Sequence, residues 1–300
     1  MAPSEESAAL AKFYKKLSNA LNQDDIFVRR CIYDQIHRAA AECPGVSFED
    51  TVVENIPCRW VKPENASKQH VMLFFHGGGY LLGSNDSHRK LAAHLARACN
   101  TTGLMVDYRL APEDVFPAAI EDGVAIYRWL LSHGYKAEQI VMAGDSAGGA
   151  LVTSVPLASI KQGLAVPGAA VSLAPWCDLT NSGESIISNS EHDTISSKAV
   201  LDMLADRFAA GASKDDALMS PLFADNLHEM PPTWISCGGY DTLRDNGERL
   251  AEKASKAGAE VVLEVHEGQQ HVFEFMVGRA PEADDSVKRI GEWVRGKIGS

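Results

Sequence analysis

From residue 50 onward the chain alternates short β-branched or apolar runs with amphipathic stretches. Thr51–Ile56, Cys58–Val61, Val71–Phe75, Gly103–Tyr108, Ile140–Ala143, Ala169–Leu173, Thr233–Cys237 and Glu260–Val265 have the length and composition of strands. The later runs are almost continuously apolar, as strands covered on both faces must be. Between them Ser87–Ala98, Ala118–Ser132, Gly148–Gln162, Glu248–Ala257 and Asp285–Lys297 read as helices. This alternation predicts an α/β fold, a mostly parallel eight-stranded sheet flanked by helices. Its crossovers are expected to be right-handed, with functional groups at the strands' carboxyl ends.

Two regions depart from the alternation. Residues 1–45 read as helical, with Leu10, Phe13, Tyr14 and Leu17 at i, i+3, i+4 and i+7, until Pro44-Gly45 stops them. Residues 177–230 lack a strand, are rich in Ser, Asn and Asp, and contain one helix near Lys198–Ala210. An insertion of that size at a strand's carboxyl end suits a lid or specificity element. Residues 1–45 and 177–230 are therefore expected to form a helical cap, and 46–176 with 231–300 the catalytic core.

Charge narrows the partners. The 28 Lys and Arg against 40 Asp and Glu leave a net charge of −12, which disfavours phosphate backbones and anionic lipid. No nucleic acid and no membrane span are expected, since no apolar run reaches the roughly 18 residues that a span requires. With no export signal read at residues 1–20, the expected location is cytoplasmic. The six cysteines are dispersed without a C-x-x-C and read as reduced, mostly packed thiols.

Chemistry concentrates at four points. Gly144-Asp-Ser-Ala-Gly148 follows one strand and opens a helix, fitting the G-x-S-x-G nucleophile elbow. Its glycines allow the sharp turn that exposes Ser146 at a helix N-terminus. His76-Gly-Gly-Gly79 follows an earlier strand and offers bare amides of the kind an oxyanion hole requires. Downstream, Asp241 and His271 lie just beyond strand ends, in the order that this elbow uses. Asp245, expected near the start of a helix, and His266, at a strand's end, are their rivals. The remaining histidines show no paired metal-ligand spacing, so no metal site is expected.

Taken together, His76-Gly-Gly-Gly79, Asp107-Tyr-Arg-Leu-Ala-Pro-Glu113, Gly144-Asp-Ser-Ala-Gly-Gly149, Asp241-Thr-Leu-Arg-Asp245 and His271-Val-Phe273 resemble the hormone-sensitive-lipase-like esterases, also called bacterial family IV, of the α/β-hydrolase superfamily. The resemblance runs from about residue 50 to residue 300, and the N-terminal helices look like that family's cap. It implies Ser146 as nucleophile, Asp241 as orienting carboxylate, His271 as base, and Gly78, Gly79 and Ala147 as amide donors. His76, Gly77 and Asp145 are expected to support the loops, and Arg109 and Glu113 to pair beneath the nucleophile. Thr242 departs from the proline that the family more often carries there. The implied activity is a serine carboxylesterase acting on short- to medium-chain acyl esters, with no cofactor and a possible homodimer. A lactone, carbamate or amide hydrolase with the same triad is the alternative. A non-catalytic receptor of the same fold is disfavoured because His271 is present.

Overall fold

The computed structural model describes residues 3–300. Eight strands form one sheet: β1 (Val46–Val53), β2 (Ile56–Pro63), β3 (Ser67–Phe75), β4 (Thr101–Val106), β5 (Ile140–Asp145), β6 (Ala169–Leu173), β7 (Thr233–Gly238) and β8 (Val261–His266). Their spatial order is β1-β2-β4-β3-β5-β6-β7-β8. β1 and β2 pair antiparallel, as do β2 and β4, and every other pairing is parallel. Val71–Phe75 and Ile140–Ala143 are buried completely or nearly so, which explains their unbroken apolar sequence.

The first hairpin corrects the sequence reading. Thr51–Ile56 is not one strand: β1 begins earlier, at Val46, and the chain reverses at Glu54-Asn55. Both turn residues have positive φ, 52° and 64°, and Val53 pairs with Ile56. A two-residue turn with left-handed φ at both positions matches the twist of its strands.

Helices cover the sheet. α3 (Asn85–Ala98) packs against β2, β4 and the last helix, α9 (Pro281–Ile298). α4 (Ala118–Ser132) packs on α5 (Ala147–Lys161), which lies against β3, β5 and β6; α8 (Arg244–Ala257) covers β7 and β8. At the N-terminal side, α1 (Glu5–Ala20) buries Ser7, Leu10, Tyr14 and Leu17, one stripe at helical spacing. Ser4 caps it by accepting from the Ser7 N–H. α2 (Ile26–Tyr33) follows and tightens into a 3₁₀ turn over Asp34–Ala39. Between β6 and β7 lie α6 (Ser185–Ser188), four residues that the sequence pattern does not reveal, and α7 (Lys198–Ala209).

Parallel register determines where chemistry can assemble. Phe75 stands opposite Gly144 on β3 and β5, and Gly238 opposite His266 on β7 and β8. The loops that carry His76, Ser146, Asp241 and His271 therefore leave the same edge of the sheet. All six cysteines are free and five are buried, and among the described residues no helix is long and apolar enough to cross a membrane.

Candidate active site

Ser146 sits between β5 and α5 with φ 55° and ψ −118°, a conformation that a non-glycine residue adopts only when its surroundings impose it. The surroundings do so. Its N–H donates to Leu173 O (2.8 Å), and its carbonyl accepts from the amides of Ala150 (3.1 Å) and Trp176 (3.0 Å). A Cβ at Gly148 would overlap the Phe75 carbonyl, so the turn can close only with glycine there. Ala147 opens α5, where the first-turn amides have no partner within the helix.

The glycine loop after β3 faces this turn. Gly78 has φ +118°, and a Cβ on it would run into the carbonyl of Leu82. Its carbonyl accepts from the amides of Leu81 and Leu82, whereas among the described residues the N–H groups of Gly78 and Gly79 have no protein acceptor. Gly77 N–H donates to Asp145 Oδ1 (3.2 Å), so the residue before Ser146 holds the loop opposite it. His88 Nε2 lies 3.2 Å from Asp145 Oδ2 in the same buried cluster. His76 Nδ1–H donates to Gly77 O (2.8 Å), and burial pushes the His76 pKa down to about 3, so the ring is neutral. The His76 ring stacks on Tyr108 at 4.3 Å, and the Tyr108 hydroxyl donates to the His76 carbonyl (2.6 Å).

Within the Asp107–Glu113 segment it is therefore Tyr108 that supports the loop. Arg109 and Glu113 do not pair with each other, contrary to the sequence expectation. Arg109 binds Asp122 (2.8 Å) and Glu121 (3.2 Å) of α4, and Glu113 binds Arg30 of α2 (2.7 Å). The following helix and, 83 residues away, Arg30 supply the nearer opposite charges, and neither arginine is buried under the elbow.

His271 and Asp241 are brought together: Nδ1 donates to Oδ2 at 2.8 Å, with the carboxylate fully buried. Asp241 Oδ1 accepts from the Leu243 N–H (2.7 Å). Burial drives the His271 pKa down, but Asp241, then Asp193 and Asp145, more than reverse this and raise it to about 9. Three residues on, the buried Glu274 accepts from Ser236 (2.5 Å) and Ser286 (3.1 Å), tying the His271 turn to β7 and α9. The rivals are elsewhere. Asp245, in the first turn of α8, accepts from the Ser185 N–H (2.9 Å), and His266 ends β8 against Phe273.

Ser146, His271, Gly78, Gly79 and Trp176 share the wall of one cavity of about 80 Å³. Among the described residues no hydrogen bond joins the Ser146 hydroxyl to His271. A larger cavity of about 390 Å³ has neither Ser146 nor His271 in its wall. Leu21, Leu82, Ile195, Val200 and Leu204 line both, so the two spaces adjoin across a collar of aliphatic side chains. Among the described residues no group of His, Cys, Asp and Glu is arranged to hold a metal ion.

This sheet, with a serine on a strand-to-helix elbow, defines an α/β hydrolase, and the model of the alpha/beta hydrolase fold matches residues 72–275. Within that superfamily the chain belongs to the hormone-sensitive-lipase-like family. It is 35% identical over 272 residues to an acetyl-hydrolase of Streptomyces hygroscopicus, covering 90% of both chains. An esterase of Acinetobacter venetianus is 31% identical, with 88% of this chain and 87% of that one covered. The crystal structure of an esterase from the bacterial hormone-sensitive lipase family superposes over 100% of both chains, with a TM-score of 0.95 and 36% identity.

Proposed function

We propose that the protein is a serine carboxylesterase that hydrolyses short- to medium-chain acyl esters through an acyl-enzyme. The observation that carries this reading is the 2.8 Å His271–Asp241 contact at the cavity into which the strained Ser146 turn opens. Relatives named esterase and acetyl-hydrolase support the ester class.

In this reading His271 removes the Ser146 proton as the hydroxyl oxygen attacks the ester carbonyl. The missing hydrogen bond between them forms as substrate closes the site, as catalytic contacts do. Asp241 holds the imidazole in the tautomer with Nδ1 protonated and steadies the imidazolium. The oxyanion is met by the amides of Gly78, Gly79 and Ala147, each lowering the barrier by about 3 kcal/mol. His271 returns the proton to the leaving alcohol, and water then repeats the sequence on the acyl group. Residues 1–45 and 177–230 act as the cap, since Leu21, Ile195, Val200, Leu201 and Leu204 all reach the cavity wall. Association into a dimer through the open edge of β8, where Leu263 is exposed, completes the proposal; one 32 kDa species in light scattering at micromolar concentration excludes it.

The deciding experiment is Ser146→Ala. Hydrolysis of p-nitrophenyl butyrate and covalent labelling by a fluorophosphonate should both vanish while the far-ultraviolet circular dichroism is retained. Labelling of another serine overturns the assignment. A panel of esters, lactones and anilides separates the esterase from the other hydrolase classes.

A further inference from the structure

Residues 189–196, inside the insertion, grip both loops that carry the carboxylate–imidazole pair. Asn189 Nδ2 donates to the carbonyls of Gly239 (3.0 Å) and Asp241 (2.8 Å). Gln270, next to His271, accepts from the Thr194 hydroxyl (2.8 Å) and donates to the His192 carbonyl (3.0 Å). Asp193 lies at the centre, 8% exposed. Its Oδ2 accepts from the N–H (2.9 Å) and hydroxyl (2.8 Å) of Thr242, the residue after Asp241. Its Oδ1 accepts from the N–H groups of Ile195 and Ser196, both at 2.9 Å. Ile195 and Ser196 in turn form part of the cavity wall that contains Ser146 and His271.

We propose that Asp193 is a positioning residue for the triad, one oxygen fixing the turn of Asp241 and the other fixing the wall of the substrate cavity. The proposal rests on the reading of Ser146, His271 and Asp241 given above. A buried carboxylate is tolerated only when its lone pairs are engaged, and four donors engage this one. A local turn would require only Ile195 and Ser196. The bonds to Thr242 reach a different loop, and they make the insertion part of the catalytic frame rather than a cover over it. Asp193 also adds a negative charge near His271, besides Asp241 and Asp145, and so favours the imidazolium that forms during turnover.

The test compares Asp193→Asn, Thr242→Val and Ser146→Ala by kcat and KM from pH 6 to 10, with sites counted by fluorophosphonate titration. Asp193→Asn leaves too few acceptors for its four donors and removes the charge. Its kcat per labelled site should fall about tenfold or more, as it does when catalytic groups are displaced. The acid limb of kcat/KM should move to lower pH, because an imidazolium with one fewer carboxylate nearby releases its proton more readily. KM for p-nitrophenyl hexanoate should also rise relative to that for the acetate, because the wall has moved. Thr242→Val removes only the hydroxyl contact. With the Asp193 charge kept, it should lower kcat by less and leave the acid limb and the KM ratio unchanged. A folded Asp193→Asn with wild-type kcat and acid limb overturns the proposal. If that variant does not fold, Thr242→Val decides, and wild-type behaviour there overturns it equally. Activity retained by Ser146→Ala would instead remove the reading on which the proposal stands.

Discussion

The Tyr14 hydroxyl donates a 2.9 Å hydrogen bond to the backbone carbonyl of His271, with both groups buried. A residue of the first helix thus holds the turn that presents the imidazole, at a separation of 257 residues. Tyr14→Phe leaves that carbonyl unpaired at a cost of about 1–3 kcal/mol. The expected outcome is a lower midpoint of thermal unfolding together with a several-fold lower kcat. Unchanged values for both would mean that the contact carries no weight.

Neighbouring carboxylates and imidazoles should separate cleanly. On the proposed mechanism Asp241→Asn is expected to lower kcat by up to about 10⁴-fold, as loss of the orienting carboxylate does in the serine-protease triad. Asp245→Asn should instead act on stability, because its carboxylate secures Ser185 of the insertion. His271→Ala should be inactive and His266→Ala largely active. Severe loss of kcat in the 245 or 266 variants would place the chemistry on the wrong residues.

The pH dependence has a definite sign. In the proposed mechanism His271 must be neutral to accept the Ser146 proton, and its pKa is raised to about 9. The acid limb of kcat/KM should therefore lie above the ordinary imidazole value of about 6.5, and Asp241→Asn should move it downward. His271 also stabilises the folded state below its unfolded pKa, and this contribution is lost as pH rises through about 9. His76 behaves oppositely. Its depressed folded pKa means that stability present above about 6.5 falls on acidification towards about 3. Denaturant midpoints measured from pH 4 to 10 check both slopes.

Acyl length should be read by the collar between the two cavities. Each methylene buried contributes about 0.8 kcal/mol while there is room, and overpacking then costs about 1–3 kcal/mol. In a p-nitrophenyl series from two to sixteen carbons, kcat/KM should peak at about four to eight carbons and then decline. Leu204→Ala, which widens the collar, should move the peak to longer chains. A maximum at sixteen carbons in the unmodified enzyme contradicts this account.

Much of this arrangement is legible in the sequence, for identifiable reasons. The central strands are buried on both faces, so β3, β5, β6 and β7 stand out as apolar runs. Glycines at 78, 144 and 148 are demanded by close backbone approaches, and such demands leave a motif. The turn at Glu54-Asn55 was not legible, because Glu54 is no turn former and Pro57 draws attention two residues too late. The pairing of Arg109 and Glu113 failed because proximity in sequence says nothing of Asp122 or Arg30, which arrive from separate helices. Tyr108, His88, Tyr14 and Asp193 reach residues distant in sequence, and such contacts leave no spacing to recognise. Only the density of Ser, Asn and Asp in residues 177–230 hinted that this segment bonds to something beyond itself.

The side-chain hydrogen bonds of the first helix and its cap reach late parts of the chain, although the helix also packs on α2 and the Asp34–Ala39 turn. Ser4 bonds Glu282, Ser7 bonds Gln269, and Tyr14 bonds His271, at separations of 278, 262 and 257 residues. On the ribosome α1 is made well before residues 269–282, and these three bonds can form only once that stretch has emerged. Until then its Leu10–Tyr14–Leu17 stripe lacks its late partners, a condition that invites aggregation or chaperone binding. Contacts of such long range also form slowly. Full docking of this helix therefore waits on residues made 257 or more positions later, and the hold of Tyr14 on the imidazole turn comes only then.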